Sequence, residues 1–515
     1  VLAALVLPVT LPALALDEQV MTGQRIYQNG VTREGLPVRA TGAGGSSLGE
    51  ARAACVVCHR RSGMGSREGS VAVPAVAGPV LYAKVVPNWP VRPGRKAPNI
   101  KPLRQDSRDA YDDAGLARAI RDGIDPNGRT LDPLMPRYEL GEADLIALTA
   151  YLRKLSAAQI PGLNGGRLQL ATIVTPDADP ARARIVSEAL TAWSRSGALG
   201  GMPMELHVWA IEGPASGWGE QLRAYNQTRP VYAVISGAGR AEWAPVRDFC
   251  EQASVPCLFP IVDFAPEDAP DYYSMYLSRG VPLEARILAR HLKEMTPPPA
   301  RVVQLVAGEA GARAAEMLAG EMGDVVQETR SWRSAPPVSM IEGLNPTDVV
   351  IGWLNPAQLN DLAKSRPQGL DTRMAVFSGQ LAPPEKTDLP SAWRTQARWI
   401  SLHSDPRRLQ GKGVLGLSPW LTHLKLAAAD EALLSQVYAA TYYFGDALAR
   451  MRGHWSREYL LETLETANYA RPAGAAFFSL SLGPGQREAA KAGHFLGFAG
   501  PALDQVVTFG PRLAP

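Results

Sequence analysis

Long apolar runs are missing from this sequence of 515 residues. Beyond its N-terminus no segment approaches eighteen uninterrupted apolar positions, so no membrane span is expected in the mature chain. A strong excess of charge of one sign is also missing. A formal net charge of +3 gives no basis for binding nucleic acid. No hydrolase or kinase motif stands out, and the scattered Ser, His and Asp residues show no spacing of a triad. His403, His423 and His454 read as ordinary surface or satisfied histidines. Cysteine is scarce, with four residues, and His59 is the only histidine before His207. Hydrophobic content of 46% and charged content of 20% are ordinary for a folded protein. The length allows two or three domains, each with its own core.

What is present centres on Ala54-Cys55-Val56-Val57-Cys58-His59. C-x-x-C-H is the attachment signature of a c-type haem. Thiols three positions apart form thioethers to the two vinyl groups, and the adjacent histidine reaches the iron as proximal ligand. A redox C-x-x-C, half of a zinc site and a chance occurrence are the alternatives. Zinc would need further Cys or His nearby, and the next cysteine is Cys250. A thioredoxin-like site would want a preceding strand and a helix opening at the motif, and neither is evident. The sixth ligand of a c-type iron is usually Met or His. Met64 is too close to Cys58 to cross the haem, and Met21 lies at an apparent helix start before the motif. Met135 sits in Leu131-Asp132-Pro133-Leu134-Met135-Pro136-Arg137-Tyr138, a proline-bracketed loop that cannot be helical throughout. Met135 is the expected axial ligand; a Met filling a core gap is the alternative.

Residues from about Gly23 to Leu155 resemble a class I cytochrome c of the kind found beside bacterial dehydrogenases. The matching pieces are Gly23-Gln24-Arg25-Ile26-Tyr27 as N-terminal helix, the haem motif, Leu116 to Gly123 before the methionine loop, and Asp144 to Leu152. Leu145, Leu148 and Leu152 fall on one face of the last piece, with Tyr151 near it, so it reads as an amphipathic helix. The resemblance implies that this helix crosses the N-terminal one, in an all-α domain. A Gly/Ser-rich insertion, roughly Val31 to Gly49, departs from the family and is expected to form a surface loop.

Residues Val1 to Leu16 are an apolar run ending Ala13-Leu14-Ala15, which reads as the h-region and cleavage site of a secretory signal. The mature protein is expected to start near Leu16 or Asp17 and to be exported to the periplasm as a soluble protein, where c-type attachment takes place. Lys84, Arg92, Arg95, Lys96, Lys101 and Arg104 share one Pro-rich stretch with no acidic residue. Such a run is usually a solvated loop; beside a haem it could steer an acidic redox partner.

The cytochrome-like domain is expected over 17–155, with a linker over 156–167 marked by Pro161-Gly162 and Gly165-Gly166. Beyond it, strands alternate with helices. Strands are predicted at 168–174, 205–211, 231–236 and 256–260, with helices at 180–195, 217–225 and 241–253. The alternation restarts at 301–306 and continues at 348–351 and 374–377. Two such blocks imply two lobes with parallel sheets. The organisation of 168–515 resembles the type I periplasmic binding proteins of the branched-chain amino acid and amide receptor group. The residues that carry it are Cys250 to Cys257, Gly308-Glu309-Ala310-Gly311 and Leu480 to Phe498. The overall expectation is a multidomain chain, cytochrome c followed by a two-lobed α/β domain.

That resemblance places ligand contacts at Ser236, Gly237 and Ala238, at Asp263, and at Tyr273 or Tyr276. The alternatives are turn-making glycines and hinge-packing tyrosines. Ala310 stands where amino acid receptors tend to have a tyrosine, which puts a zwitterionic ligand in doubt. Cys250 and Cys257 are expected to form a disulfide in an oxidising compartment, free buried thiols being the alternative. The expected function is single-electron transfer through one covalent haem c, without catalysis, with a redox protein such as a quinoprotein dehydrogenase as partner. The second module would bind a small molecule or dock that partner. A ligand-responsive sensor or transport receptor is the other class.

Overall fold

The computed structural model describes residues 11–68, 71–85, 107–157, 159–197, 202–323, 325, 327–332, 337–403, 416–467, 477 and 480–515. Of the basic stretch, Arg92, Arg95, Lys96, Lys101 and Arg104 lie outside the described residues, as do positions 1–10 of the apolar N-terminus. The chain divides into two compact units, Val1–Ile160 with Gly453–Glu462, and Pro161–Arg452 with Thr463–Pro515.

The first unit contains helices α1 (Leu11–Asn29), α2 (Val56–His59), α3 (Gly78–Leu81), α4 (Asp113–Asp122) and α5 (Glu142–Lys154). Local chemistry sets their ends. Asp112 caps α4 by accepting from Gly115 N, and Gly123 stops it in the left-handed region at φ 70°. Helix α5 carries Glu142 and Asp144 in its first turn and Arg153 and Lys154 in its last, matching the helix dipole. Helices α1 and α5 cross closely because Gly23 lies on the Ala147 carbonyl, where an added Cβ would sit 2.0 Å from the oxygen. Beside the crossing, the Tyr27 and Tyr151 rings are 5.4 Å apart. Ile26, Leu116, Ile120, Leu145, Leu148 and Leu152 fill the core, each worth about 1.5–3 kcal/mol on burial.

Short strands join these helices. Strands β1 (Arg39–Thr41), β2 (Ser47–Gly49) and β5 (Arg137–Tyr138) form an antiparallel sheet in the order β2-β1-β5, and β3 (Ser66–Glu68) pairs with β4 (Val71–Val73). The Val31–Gly49 insertion is therefore more than the surface loop expected for it. Val38 and Ala40 alternate into the core at 1% and 3% exposure, and β1 pairs with the strand that follows Met135.

The second unit has two sheets. The first joins β6 (Leu163–Asn164), β7 (Arg167–Val174), β8 (Met204–Ala210), β9 (Ala233–Ile235), β10 (Cys257–Leu258) and β11 (Ser274–Met275); β6 pairs antiparallel and the rest parallel. Its parallel order is β8-β7-β9-β10-β11. The second joins β12 (Val302–Ala307), β13 (Gln327–Trp332), β14 (Val349–Trp353), β15 (Met374–Ser378), β16 (Ala397–Ser401), β17 (Gly493–Ala499) and β18 (Gln505–Leu513) in the order β13-β12-β14-β15-β16-β17-β18, with the last two antiparallel. Both parallel blocks thus read 2-1-3-4-5. That doubly wound order puts a crevice at the carboxyl ends of the strands, where neighbouring connections diverge. Helix α6 (Pro180–Arg195) follows β7, α7 (Trp218–Thr228) follows β8 and α8 (Ala244–Gln252) follows β9; α9 (Val281–Glu294) and α10 (Gly308–Met322) flank β12. No helix among the described residues is long and apolar enough to cross a membrane.

Candidate functional site

The haem motif lies on one turn of helix. His59 N donates to Cys55 O at 2.9 Å, so Cys55, Cys58 and His59 are fixed relative to one another by a single backbone turn. Cys55 packs partly buried against the core of the first unit, and Cys58 is exposed. His59 is 6% exposed. Its Nδ1 lies 2.9 Å from the Pro74 carbonyl. A carbonyl only accepts, so Nδ1 carries the proton and Nε2 keeps its lone pair. Burial lowers the His59 pKa and favours the neutral imidazole that a metal requires.

The Pro74 carbonyl is placed by a folded-back loop. Val76 N and Ala77 N both donate to Gly63 O, and Gly65 N donates to His59 O. Gly65 has φ 78° and abuts Val73 O, so any side chain there would push the loop off the histidine. Nothing in the sequence motif signals this backbone acceptor.

Met135 packs partly buried on the same core as Cys55 and Val56. Its loop is pinned along its length. Leu131 N donates to Gly123 O at 2.8 Å, Leu134 N to the Asp132 carboxylate at 2.9 Å, and Met135 N to Asp132 O at 3.0 Å. The Arg137 guanidinium then donates to Leu131 O at 3.1 Å and to Met135 O. On the same strand Tyr138 lies beside the Cys55 thiol. These residues suit a covalently attached haem: two thiols and an oriented imidazole on one turn, and a thioether presented from a constrained loop. Among the described residues no group of three His, Cys, Asp or Glu is placed to hold a metal ion, so a zinc reading of the motif lacks donors.

A later segment completes this unit. Glu462, 7% exposed, accepts from Ser62 N at 2.9 Å and from Ser62 Oγ. Ser62 is fully buried three residues after His59. Burial raises the Glu462 pKa against the lowering effect of the Ser62 bonds. The sequence pattern gave no sign of this contact, which spans 400 positions.

In the second unit, Ser236, Gly237, Ala238 and Asp263 come together at the carboxyl ends of β9 and β10, where Ala238 bridges both Val174 and Ile261. Ser236 takes φ 55° and Gly237 φ 130°. The Ser236 hydroxyl is buried with no hydrogen-bond partner among the described residues. Asp263 is already occupied. Arg182 Nη1 donates to Oδ1 at 2.8 Å, Arg240 Nε to Oδ2 at 3.3 Å, and Gln380 Nε2 to Oδ1 at 3.0 Å. Gln380 follows β15 of the other lobe, and its backbone N donates to Glu284 Oε1 at 2.9 Å. Ser378 donates to Glu284 Oε2 at 2.5 Å. Burial pushes the Glu284 carboxyl up to about 8, with the Asp263 charge adding to the rise. A second interlobe tie runs from Arg313 on α10 to the Ala241 carbonyl at 2.8 Å. The structure separates Tyr273 from this group, while Tyr276 follows the carboxyl end of β11. Tyr273 precedes β11 and donates its N to Glu251 at the opposite end of the strands. Tyr276 is fully buried, with Arg279 stacked 4.5 Å from its ring centroid. Cys250 and Cys257 are disulfide-bonded, with Cα atoms 6.1 Å apart.

Comparison with known proteins agrees with this division. Residues 43–156 match the family model for cytochrome c. No curated protein matches the sequence. Among solved structures, a branched-chain amino acid ABC transporter protein from Thermus thermophilus with bound valine superposes with a TM-score of 0.53 at 9% identity, covering 68% of this chain and 97% of that one. A solute-binding protein from Rhodopseudomonas palustris in complex with 3,4-dihydroxybenzoic acid gives 0.50 at 11% identity, covering 68% and 98%. A possible leucine/isoleucine/valine-binding protein from Rhodopirellula baltica gives 0.50 at 11%, covering 69% and 98%. The chain is a fusion of a cytochrome c domain with a two-lobed domain of the type I periplasmic binding protein fold. At these identities the structural likeness establishes fold alone.

Proposed function

We propose that this protein is an exported, non-enzymatic carrier of single electrons in the periplasm, with one haem c attached through Cys55 and Cys58 and ligated by His59 and Met135. Bound haem supplies reversible one-electron exchange. The chain's own residues do the rest: Pro74 fixes the tautomer and plane of His59, and the loop around Asp132 presents Met135. The observation that carries the reading is the Pro74 carbonyl on His59 Nδ1, because it leaves Nε2 for iron on the same turn as the two thiols. Methionine raises the potential relative to paired histidines, which suits accepting electrons from a redox protein such as a quinoprotein dehydrogenase. A sixth ligand from the chain also leaves no open position for peroxidase chemistry. The test is Met135→Ala in the haem-loaded protein. A change from a low-spin to a high-spin spectrum is expected; an unchanged low-spin spectrum rejects Met135 as ligand.

The second domain is proposed to dock the electron-donating partner, because Asp263, the carboxylate named among the candidate ligand contacts, is consumed within the protein. The Ser236 hydroxyl, without a partner among the described residues, favours a second reading, a ligand-responsive module that binds a small molecule there. Redox titration and thermal unfolding with and without a panel of small metabolites separate the two. A compound that shifts both midpoints supports the ligand; no shift with any compound supports docking.

A further inference from the structure

We infer that Arg137 is the positioning residue of the methionine loop, holding Met135 in place through the backbone; this rests on Met135 being the sixth ligand. The loop from Gly123 to Arg137 has no helix of its own, so its shape depends on discrete contacts. Two of its carbonyls, at Leu131 and Met135, converge on the one Arg137 guanidinium. A planar fork can satisfy two acceptors at a fixed separation, which an ammonium cannot do with the same geometry. The fork lies flat against Gly123, where an added Cβ would sit 2.0 Å from its central carbon, so the helix end is shaped to admit it. Arg137 is anchored in turn, because it pairs with Thr41 in the sheet made by the Gly/Ser-rich insertion. The insertion thus reaches the ligand loop through one side chain.

A thioether is neutral and held only by its loop, so any local opening exposes the sixth position to external ligands. Without the fork, two carbonyls lose charge-assisted bonds and the open population grows. The experiment uses the haem-loaded full chain and imidazole as the competing ligand. Arg137→Ala is expected to bind imidazole roughly tenfold to a hundredfold more tightly than the wild type, the equivalent of one to two such bonds. It is also expected to weaken the thioether-to-ferric-iron absorption band. Arg137→Lys falls between. Arg153→Ala, which loses the ion pair to Asp113 at the far end of α4 from Gly123, keeps wild-type affinity. Where the alanine variant does not accumulate, Arg137→Gln, which keeps the stem without the fork, decides by the same assay. Wild-type imidazole affinity in the fork-less variants overturns the inference alone, as does an equal gain in Arg153→Ala. A wild type lacking the thioether band overturns the Met135 reading, and this inference with it.

Discussion

Around His59 the protein orients its polar groups and keeps one free, whereas around Asp263 it uses them up. The imidazole is fixed through Nδ1 by a backbone carbonyl, and its second nitrogen stays available. The Asp263 carboxylate instead takes Arg182, Arg240 and Gln380 from its own chain. Both sites sit where regular elements end, the usual place for binding groups. The contrast lies in what the neighbours do. A backbone acceptor orients a ligand without neutralising it, while two guanidiniums and an amide satisfy a carboxylate, and the amide ties the lobes together. A fold that in similar solved structures holds valine or 3,4-dihydroxybenzoic acid can therefore place different demands on its strand ends.

The most severe way to break this comparison is to remove the haem's covalent anchors. Cys55→Ser with Cys58→Ser is expected to abolish covalent attachment entirely, read as haem-stained protein after denaturing electrophoresis. The second unit's interlobe ties are expected to persist, and its thermal transition to stay within a few degrees of the wild type. Retained covalent haem would show that the attachment lies elsewhere.

The next test addresses Glu284. The folded state holds its proton up to about pH 8, while the unfolded chain releases it near the ordinary value of 4.5. Because the folded pKa is raised, the contribution to stability is complete below pH 4.5 and is lost as pH rises through about 8. At full size this loss is up to about 5 kcal/mol across the window. Glu284→Gln stays neutral throughout, so its denaturant midpoint for the second unit should fall much less between acid and mildly alkaline pH. An identical pH slope in both proteins would assign the dependence to another group.

Much of this was legible in sequence because it rests on short-range patterns. The motif at Cys55-Val56-Val57-Cys58-His59 names its chemistry, and the strand read at 168–174 is observed at Arg167–Val174. The helix read at 180–195 matches Pro180–Arg195, whose N-cap Asp179 accepts from Arg182 N and whose first residue is proline. What stayed hidden depends on long-range placement. Val38 and Ala40 read as part of a surface loop, since two buried positions among many Gly and Ser make a weak alternation, and only pairing with Tyr138 reveals the strand. The resemblance places Tyr273 with the ligand contacts, but the pairing of Cys257 with Ser274 puts it at the other end of the strands. Pro74 acts through a backbone oxygen, which any residue supplies. Glu462 meets Ser62 across 400 positions, a contact no local pattern encodes.

The smallest expected effect concerns the disulfide, and it asks whether damage to one unit stays there. The Cys250–Cys257 bridge closes a loop with a sequence separation of 7, for which chain entropy predicts about 2 kcal/mol of stabilisation. The turn it clips has other supports. Val255 N donates to Cys250 O at 2.9 Å, and the Glu251 carboxylate accepts from Tyr272, Tyr273 and Ser274 backbone N–H groups. Cys250→Ala with Cys257→Ala should therefore lower the unfolding free energy of the second unit by about 2 kcal/mol without abolishing the fold. The haem spectrum and its midpoint potential should be unchanged, because the contacts that hold His59 and the Met135 loop come from Pro74, Gly123, Asp132 and Arg137. A shifted potential in this variant would mean that the cytochrome site senses the state of the binding-protein fold, which would move the balance toward the ligand-responsive reading.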